Sequence, residues 1–193
     1  LGVKHDDAFR LNILDVGQGQ AIHLQMPKHN MLIDTGGNYD ESKFSVGQQI
    51  IIPYLMQQGV KHLDSVLLTH LDQDHSGAFS RVAEEIKIDQ VVSNQKDQRF
   101  DGYPFEYCHA GQVWQYGQVK IEVLSPQSAD LNQVANNQNE LSCVLYIQAL
   151  QVGKGYKSFL LMGDAGWEAE YQILQRYPHL NVDVLVLGHH GSQ

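Results

Sequence analysis

Two cysteines, no cluster of lysine or arginine, and no long apolar run mark this chain of 193 residues. Each shortage excludes something. Cys108 and Cys143 are too few for a disulfide framework and are not spaced as a C-x-x-C metal pair, so they read as two structural thiols. Cys143 stands in the alternating run Ser142-Cys-Val-Leu-Tyr-Ile, where a small buried residue is ordinary. The missing basic stripe, with a net charge of −9, argues against a surface that grips many phosphates at once. No apolar segment approaches the length that spans a bilayer. The start, Leu-Gly-Val-Lys-His-Asp-Asp, is too polar for a signal peptide, and a chain that begins on leucine reads as a piece of something longer. Internal repeats and low-complexity segments are also missing.

What is present is an ordinary folded composition, 42% apolar and 18% charged, in a chain long enough for one domain with a real core. Short apolar runs predict strands over 10–14, 21–25, 31–33, 65–68, 90–92, 119–124, 142–148, 158–162 and 183–187. Residues 115–118 and 152–155 read as hairpin turns. Helices are expected near 46–58, where Pro53 can kink or shorten the element, and over 78–84 and 167–176. The polar stretch 127–140 reads as a surface loop or irregular connection. Strands alternating with helices and hairpins define a mixed α/β domain.

The chemistry lies just beyond the ends of four of these strands. Met31-Leu-Ile runs into Asp34-Thr-Gly-Gly, and Ser65-Val-Leu-Leu into Thr69-His-Leu-Asp-Gln-Asp-His75. Phe159-Leu-Leu-Met runs into Gly163-Asp164-Ala-Gly, and Val184-Leu-Val-Leu into Gly188-His-His-Gly-Ser192. Each end alone has an ordinary explanation. Asp34 could make an Asx turn, Asp164 could cap a helix, and His189-His190 could lie on the surface. In sheets flanked by helices, however, ligands collect just beyond strand ends, so four such ends describe one shared site. Within that site His70, Asp72, Asp74 and His75 fall inside six residues. Two imidazoles and two carboxylates set that close repel or desolvate one another unless a cation sits among them. The mixed N/O donors suit Zn²⁺, Mn²⁺ or Fe better than Ca²⁺ or Mg²⁺.

These four ends resemble the metallo-β-lactamase fold superfamily over residues 10 to 193. The opening Leu14-Asp-Val-Gly-Gln-Gly19, Asp72 in place of a usual second histidine, and the segment Asn139-Glu-Leu-Ser-Cys-Val-Leu145 are similar to the C-terminal hydrolase domain of ComEC-type competence proteins. The resemblance implies a four-layer αββα sandwich with metals at one edge, between two sheets, and further elements beyond residue 193. It implies that the chain is one domain of a larger membrane protein, on the extracytoplasmic side, with DNA and the membrane channel of that protein as partners and no nucleotide cofactor.

Carried over position by position, Asp74, His75 and His190 form one metal site, and Asp164 bridges to a second built on His70 and Asp72. The histidine usual before Gly163-Asp164 is missing, and Asn139 or Ser142 lies nearest to its place. The cofactor expected is one or two divalent ions, Mn²⁺ or Zn²⁺, with carboxylate for imidazole at Asp72 favouring the harder Mn²⁺. Asp74 and His189 are the expected catalytic pair, Asp34 orients a ligand histidine, and Gly191 and Ser192 offer backbone donors to phosphate. The activity implied is hydrolysis of the DNA strand that is not imported during natural transformation. Two other readings stay open: a soluble hydrolase of a small phosphodiester, thioester or lactone, and a degenerate domain that binds DNA or a partner without catalysis.

Overall fold

The computed structural model describes residues 9–136, 141–151 and 153–188. Six strands form one sheet in the order β1-β2-β3-β5-β7-β8: β1 Arg10–Ile13, β2 Ala21–Met26, β3 His29–Thr35, β5 Ser65–Leu68, β7 Val91–Ser93 and β8 Phe105–Tyr107. Five form a second, in the order β13-β12-β11-β10-β9: β9 Val113–Tyr116, β10 Val119–Ser125, β11 Val144–Gln151, β12 Gly155–Leu161 and β13 Val184–Val186. Two short strands, β4 His62–Leu63 and β6 Lys87–Ile88, pair separately. The helices are α1 Ile52–Gln57, α2 Gln73–Ser76, α3 Phe79–Glu85 and α4 Trp167–Arg176.

The layers follow from alternation of side chains along the strands. In β5, Val66 and Leu68 face a core shared with Ile51, Leu55, Phe79 and Val82 of the helical layer. Leu67, between them, faces the opposite sheet together with Ile33, Ile121, Leu145 and Phe159. This strand is apolar at successive positions because both faces are covered. In β12 the same period sends Phe159 and Leu161 between the sheets, while Leu160, and Met162 just past the strand, pack with Ile173 of α4. Three cores thus separate four layers, giving the αββα sandwich.

Strands β3, β5, β7 and β8 run parallel, so their C-terminal ends share one edge. On the other sheet β12 and β13 are parallel as well. The site-bearing loops leave from these ends.

The cysteines require a correction. Cys108 and Cys143 form a disulfide, with Cα atoms 6.2 Å apart at a sequence separation of 35. Cys108 follows β8 at the edge of one sheet, and Cys143 precedes β11 of the other, so the bond joins the two sheets. Their sequence separation carries no hint of this approach, because register between sheets decides it.

Smaller differences have local causes. The helix expected over 46–58 begins as a π-helix, Gly47–Ile51, and becomes α-helical at Ile52. Pro53 has no N–H to donate, which favours this break in the regular ladder. The stretch expected as an irregular connection contains a 3₁₀ segment, Ser128–Asn136.

Candidate metal centre

Asp34, the last residue but one of β3, has φ at +58°, a conformation costly for a residue with a side chain. The hydrogen bonds it gains account for that cost. Its Oδ1 accepts from the Thr69 backbone N–H at 2.7 Å. Its Oδ2 accepts from Thr69 Oγ1 at 2.7 Å, Gln20 Nε2 at 2.9 Å and His75 Nδ1 at 2.7 Å. The carboxylate is fully buried and belongs to two loops at once. With Nδ1 of His75 taken, its Nε2 is turned away from Asp34 and towards the other side chains of the site.

Thr69 leads β5 into the loop. His70 and His75, both fully buried, stand with ring centroids 4.2 Å apart. Between them the Asp164 carboxylate arrives from the end of β12. Its Oδ2 lies 3.1 Å from His70 Nε2, and its Oδ1 lies 3.1 Å from His75 Nε2. The two Nε2 atoms are buried and have no properly aligned hydrogen bond, so their pairing with Asp164 is electrostatic. Together with Asp74, these residues present four ligand atoms within 4.8 Å of one another.

The two loop carboxylates are placed differently from the imidazoles. Asp74 Oδ2 is 3.9 Å from His75 Nε2, and Asp72 Oδ2 is 3.3 Å from His70 Nε2. Their side chains keep 35% and 38% of their exposure, so both stand at the mouth of the cluster. Asp72 is outside the set of four mutually close ligand atoms.

Charge in the cluster is unbalanced without a cation. Burial opposes protonation of His75, but Asp34 and Asp164 outweigh it and push the imidazole up to about 11. Burial also opposes ionisation of Asp164, yet the two histidines beside it hold its carboxyl well below the usual carboxylate range. A proton on His75 therefore does the neutralising that a divalent ion would do. Buried Nε2 atoms lacking aligned partners, with carboxylates around them, are the donor set that such an ion needs.

The frame of the site explains two motifs. In Leu14-Asp-Val-Gly-Gln-Gly19, Gly19 has φ +90°, and a Cβ there would collide with the Asp74 backbone carbonyl. The next residue, Gln20, donates its N–H to that carbonyl at 3.2 Å and its side chain to Asp34. After β13, Gly188 donates to Gly163 O at 2.8 Å, and a Cβ on it would run into Asp164 Oδ1. That glycine brings the last strand against the residue that joins the two histidines. On the far side Arg99 donates from Nη1 to Ser76 O at 2.8 Å, fixing the end of α2.

The structure therefore brings together His70, Asp74, His75 and Asp164, with Asp72 at the rim and Asp34 behind His75. Ser142 is buried beside Gly163, where a Cβ on that glycine would come within 3.4 Å of it. Asn139, His189, His190, Gly191 and Ser192 lie outside the described residues. Thr69, Gln20 and Arg99 were not singled out from the sequence. Thr69 and Gln20 do fall inside or beside the motifs, whereas Arg99 carried no signal. A cavity of about 810 Å³ beside β8 shares no lining residue with the cluster. A cleft of about 460 Å³ includes Asp74.

This fold and site define a class, and the chain belongs to the metallo-β-lactamase superfamily, whose family model matches residues 14–134. Among curated proteins it is similar to ComE operon protein 3 of Bacillus subtilis, at 32% identity over 95% of this chain and 25% of that protein. Recombination protein 2 of Haemophilus influenzae is 30% identical over 96% of this chain and 22% of that protein. Competence protein ComA of Neisseria gonorrhoeae is 32% identical over 94% and 24%. The chain thus spans about a quarter of the length of these relatives. A metallo-β-lactamase of Cronobacter sakazakii shares the fold with a TM-score of 0.61 at 14% identity, covering 93% of this chain and 74% of that one. The superfamily and the His/Asp cluster together point to divalent metal binding and to a metal-dependent hydrolase.

Proposed function

We propose that the chain is a metal-dependent phosphodiesterase domain that cuts DNA, and that it degrades the non-imported strand during natural transformation. One observation carries this reading. The buried cluster of His70, His75 and Asp164 is met at its mouth by the half-exposed carboxylates of Asp72 and Asp74, with Asp74 lining a cleft, in a chain whose relatives bear the names of competence and recombination proteins.

A bound divalent ion supplies Lewis acidity and a more acidic bound water. His70, Asp74, His75 and Asp164 would hold it, with Asp72 available at the rim. Asp34 keeps His75 in the orientation that turns Nε2 inward, as partners behind ligating histidines do. Asp74, partly exposed, takes the proton of the attacking water. By resemblance His190 completes the ligand set, His189 donates to the leaving oxygen, and the backbone of Gly191 and Ser192 contacts phosphate. The harder donor set that Asp72 brings favours Mn²⁺ over Zn²⁺.

The parent would be a larger membrane protein carrying this domain on its extracytoplasmic side, where its channel could hold the strand. Among the described residues no helix is long and apolar enough to cross a membrane. The Cys108–Cys143 disulfide supports the placement, because such bonds persist outside the reducing cytosol.

The test is hydrolysis of single-stranded and duplex DNA with Mn²⁺ or Zn²⁺ by the wild type and by Asp74→Ala. Metal-dependent cleavage that the substitution abolishes is expected. Full activity in Asp74→Ala, or no bound metal after soaking in either ion, overturns the reading. The cleft beside Asp74 has no Lys or Arg among its described lining residues, which also suits a small phosphodiester. Faster turnover of a chromogenic phosphodiester than of DNA would favour that substrate.

A further inference from the structure

We infer that the cleft beside Asp74 is a stacking site for an unpaired nucleobase next to the scissile phosphate, with Tyr39 and Phe44 as its platform. This rests on the nuclease reading above and specifies its substrate as single-stranded.

The cleft, about 460 Å³, is lined by Tyr39, Phe44, Gln18, Asn38, Gln73 and Asp74, among others. Tyr39 is 97% exposed and Phe44 49% exposed. Large apolar groups left in water at one place call for an explanation when the loop presenting them is tightly built.

This loop is so built. The Glu41 carboxylate accepts from the backbone N–H of Asn38 at 2.9 Å and from that of Val46 at 3.0 Å. Asn38 Nδ2 donates to Asp40 O at 3.0 Å, and Asp40 Oδ1 accepts from the Ser42 N–H at 3.0 Å. The acidic side chains of the segment are thereby spent on its own backbone, while the Tyr39 ring stands almost wholly in solvent and half of Phe44 is open to it. The loop is also anchored to the metal centre, because Gln73 Nε2 donates to Asn38 O at 2.9 Å. Gln73 immediately precedes Asp74. Moreover, a Cβ on Gly37 would overlap the Gln73 carbonyl, so the two loops meet backbone to backbone. The aromatic rim is thus registered against the carboxylate proposed to act on water.

The chemistry of the lining selects the occupant. With no Lys or Arg among the described lining residues, the cleft does not recruit phosphate by charge. Exposed rings attract the π-face that every base offers, and the face is available only when the base is unpaired. Gln18, also in the lining, carries an amide that suits base edges without demanding one base.

The experiment measures binding and cleavage separately in wild type, Tyr39→Ala and the double variant Tyr39→Ala/Phe44→Ala. Probes are a fluorescein-labelled oligothymidylate and an abasic oligonucleotide of the same length, bound in the presence of chelator and read by anisotropy. The base-bearing strand is expected to bind roughly tenfold more tightly to wild type, with the preference lost in the double variant. Circular dichroism confirms that the variants fold, and Tyr39→Phe, which keeps the ring, is expected to restore the preference. Equal binding of the two probes to wild type, or an unchanged preference in the double variant, overturns the inference. Cleavage with Mn²⁺ is scored apart from this. Base-selective binding without cleavage would overturn the nuclease reading and leave the stacking site standing, whereas cleavage without base selectivity would do the reverse.

Discussion

Within one short loop the imidazoles and the carboxylates are held in opposite ways. His70 and His75 are buried to the last atom, and His75 is clamped from behind by an Asp34 that serves four donors. Asp72 and Asp74 keep more than a third of their side-chain surface in water and touch the cluster only with their tips. The difference separates two tasks. The buried half fixes where a cation sits, and rigid placement there is part of the stability of the fold. The exposed half stands at the mouth of the cluster and faces whatever approaches.

That contrast can be broken by substitution, beginning where the largest change is expected. Asp74→Asn should lower hydrolysis by on the order of 10²–10⁴-fold, as for loss of a general base. Its stability without metal should stay within about 0.5 kcal/mol of wild type, as at most exposed positions. Steady-state kinetics and urea unfolding in chelator check the two halves of this statement. Unfolding much below wild type would show that Asp74 belongs to the rigid half.

Asp34→Ala should do the converse, because it leaves the Thr69 and Gln20 donors and the His75 proton buried without an acceptor. A loss of about 3–5 kcal/mol is expected in the same unfolding assay, the usual cost of removing one member of a buried pair. A variant as stable as wild type would end the distinction between the halves. Gly188→Ala is gentler. By crowding Asp164 it should weaken metal affinity about 10–100-fold, the range for disturbing a ligand's support, while far-ultraviolet dichroism is unchanged. Competition with a colour-forming chelator measures it.

The smallest effects are those of pH. In metal-free protein the His75 pairing is fully present below pH 6.5 and is lost as pH rises through about 11. Asp164 acts from the other side, contributing above pH 3.8 and losing its contribution as pH falls towards its depressed value. Denaturant midpoints in chelator should decline towards both extremes, and added metal should flatten the alkaline arm. Because the ion replaces the proton on His75, uptake at neutral pH should release about one proton. Calorimetry in two buffers of different ionisation enthalpy reads that number, and zero release would remove the proton from its proposed place.

Legibility from sequence followed burial. The strand Ser65–Leu68 has the expected bounds because both of its faces are covered, so its apolar run starts and stops with the strand. Helix α4 likewise spans Trp167–Arg176 as its amphipathic pattern predicts. Strands β4, β6, β8 and β9 escape notice because they are short and carry polar or exposed residues, without the continuous apolar run that marks the equally short β5 and β7. At the site, residue types at strand ends revealed the cluster. Its supports were less visible: Gln20 reaches Asp34 across the fold, and Arg99 reaches α2 from a separate turn. Contacts of that kind are set by tertiary approach, which no spacing along the chain records. The disulfide escaped for the same reason.

That bond has a bearing on how the chain can vary. It ties the end of β8 to the start of β11, and Cys143 N–H donates to Thr69 O at 2.8 Å, directly beneath the histidines. The bond closes a covalent ring on the chain from residue 108 to residue 143, which includes the sheet strands β9 and β10 and the polar stretch that follows β10. Length changes in that stretch would be absorbed between two fixed posts. The rim of the molecule could be remodelled for different substrates while the floor under His70 and His75 stayed where it is.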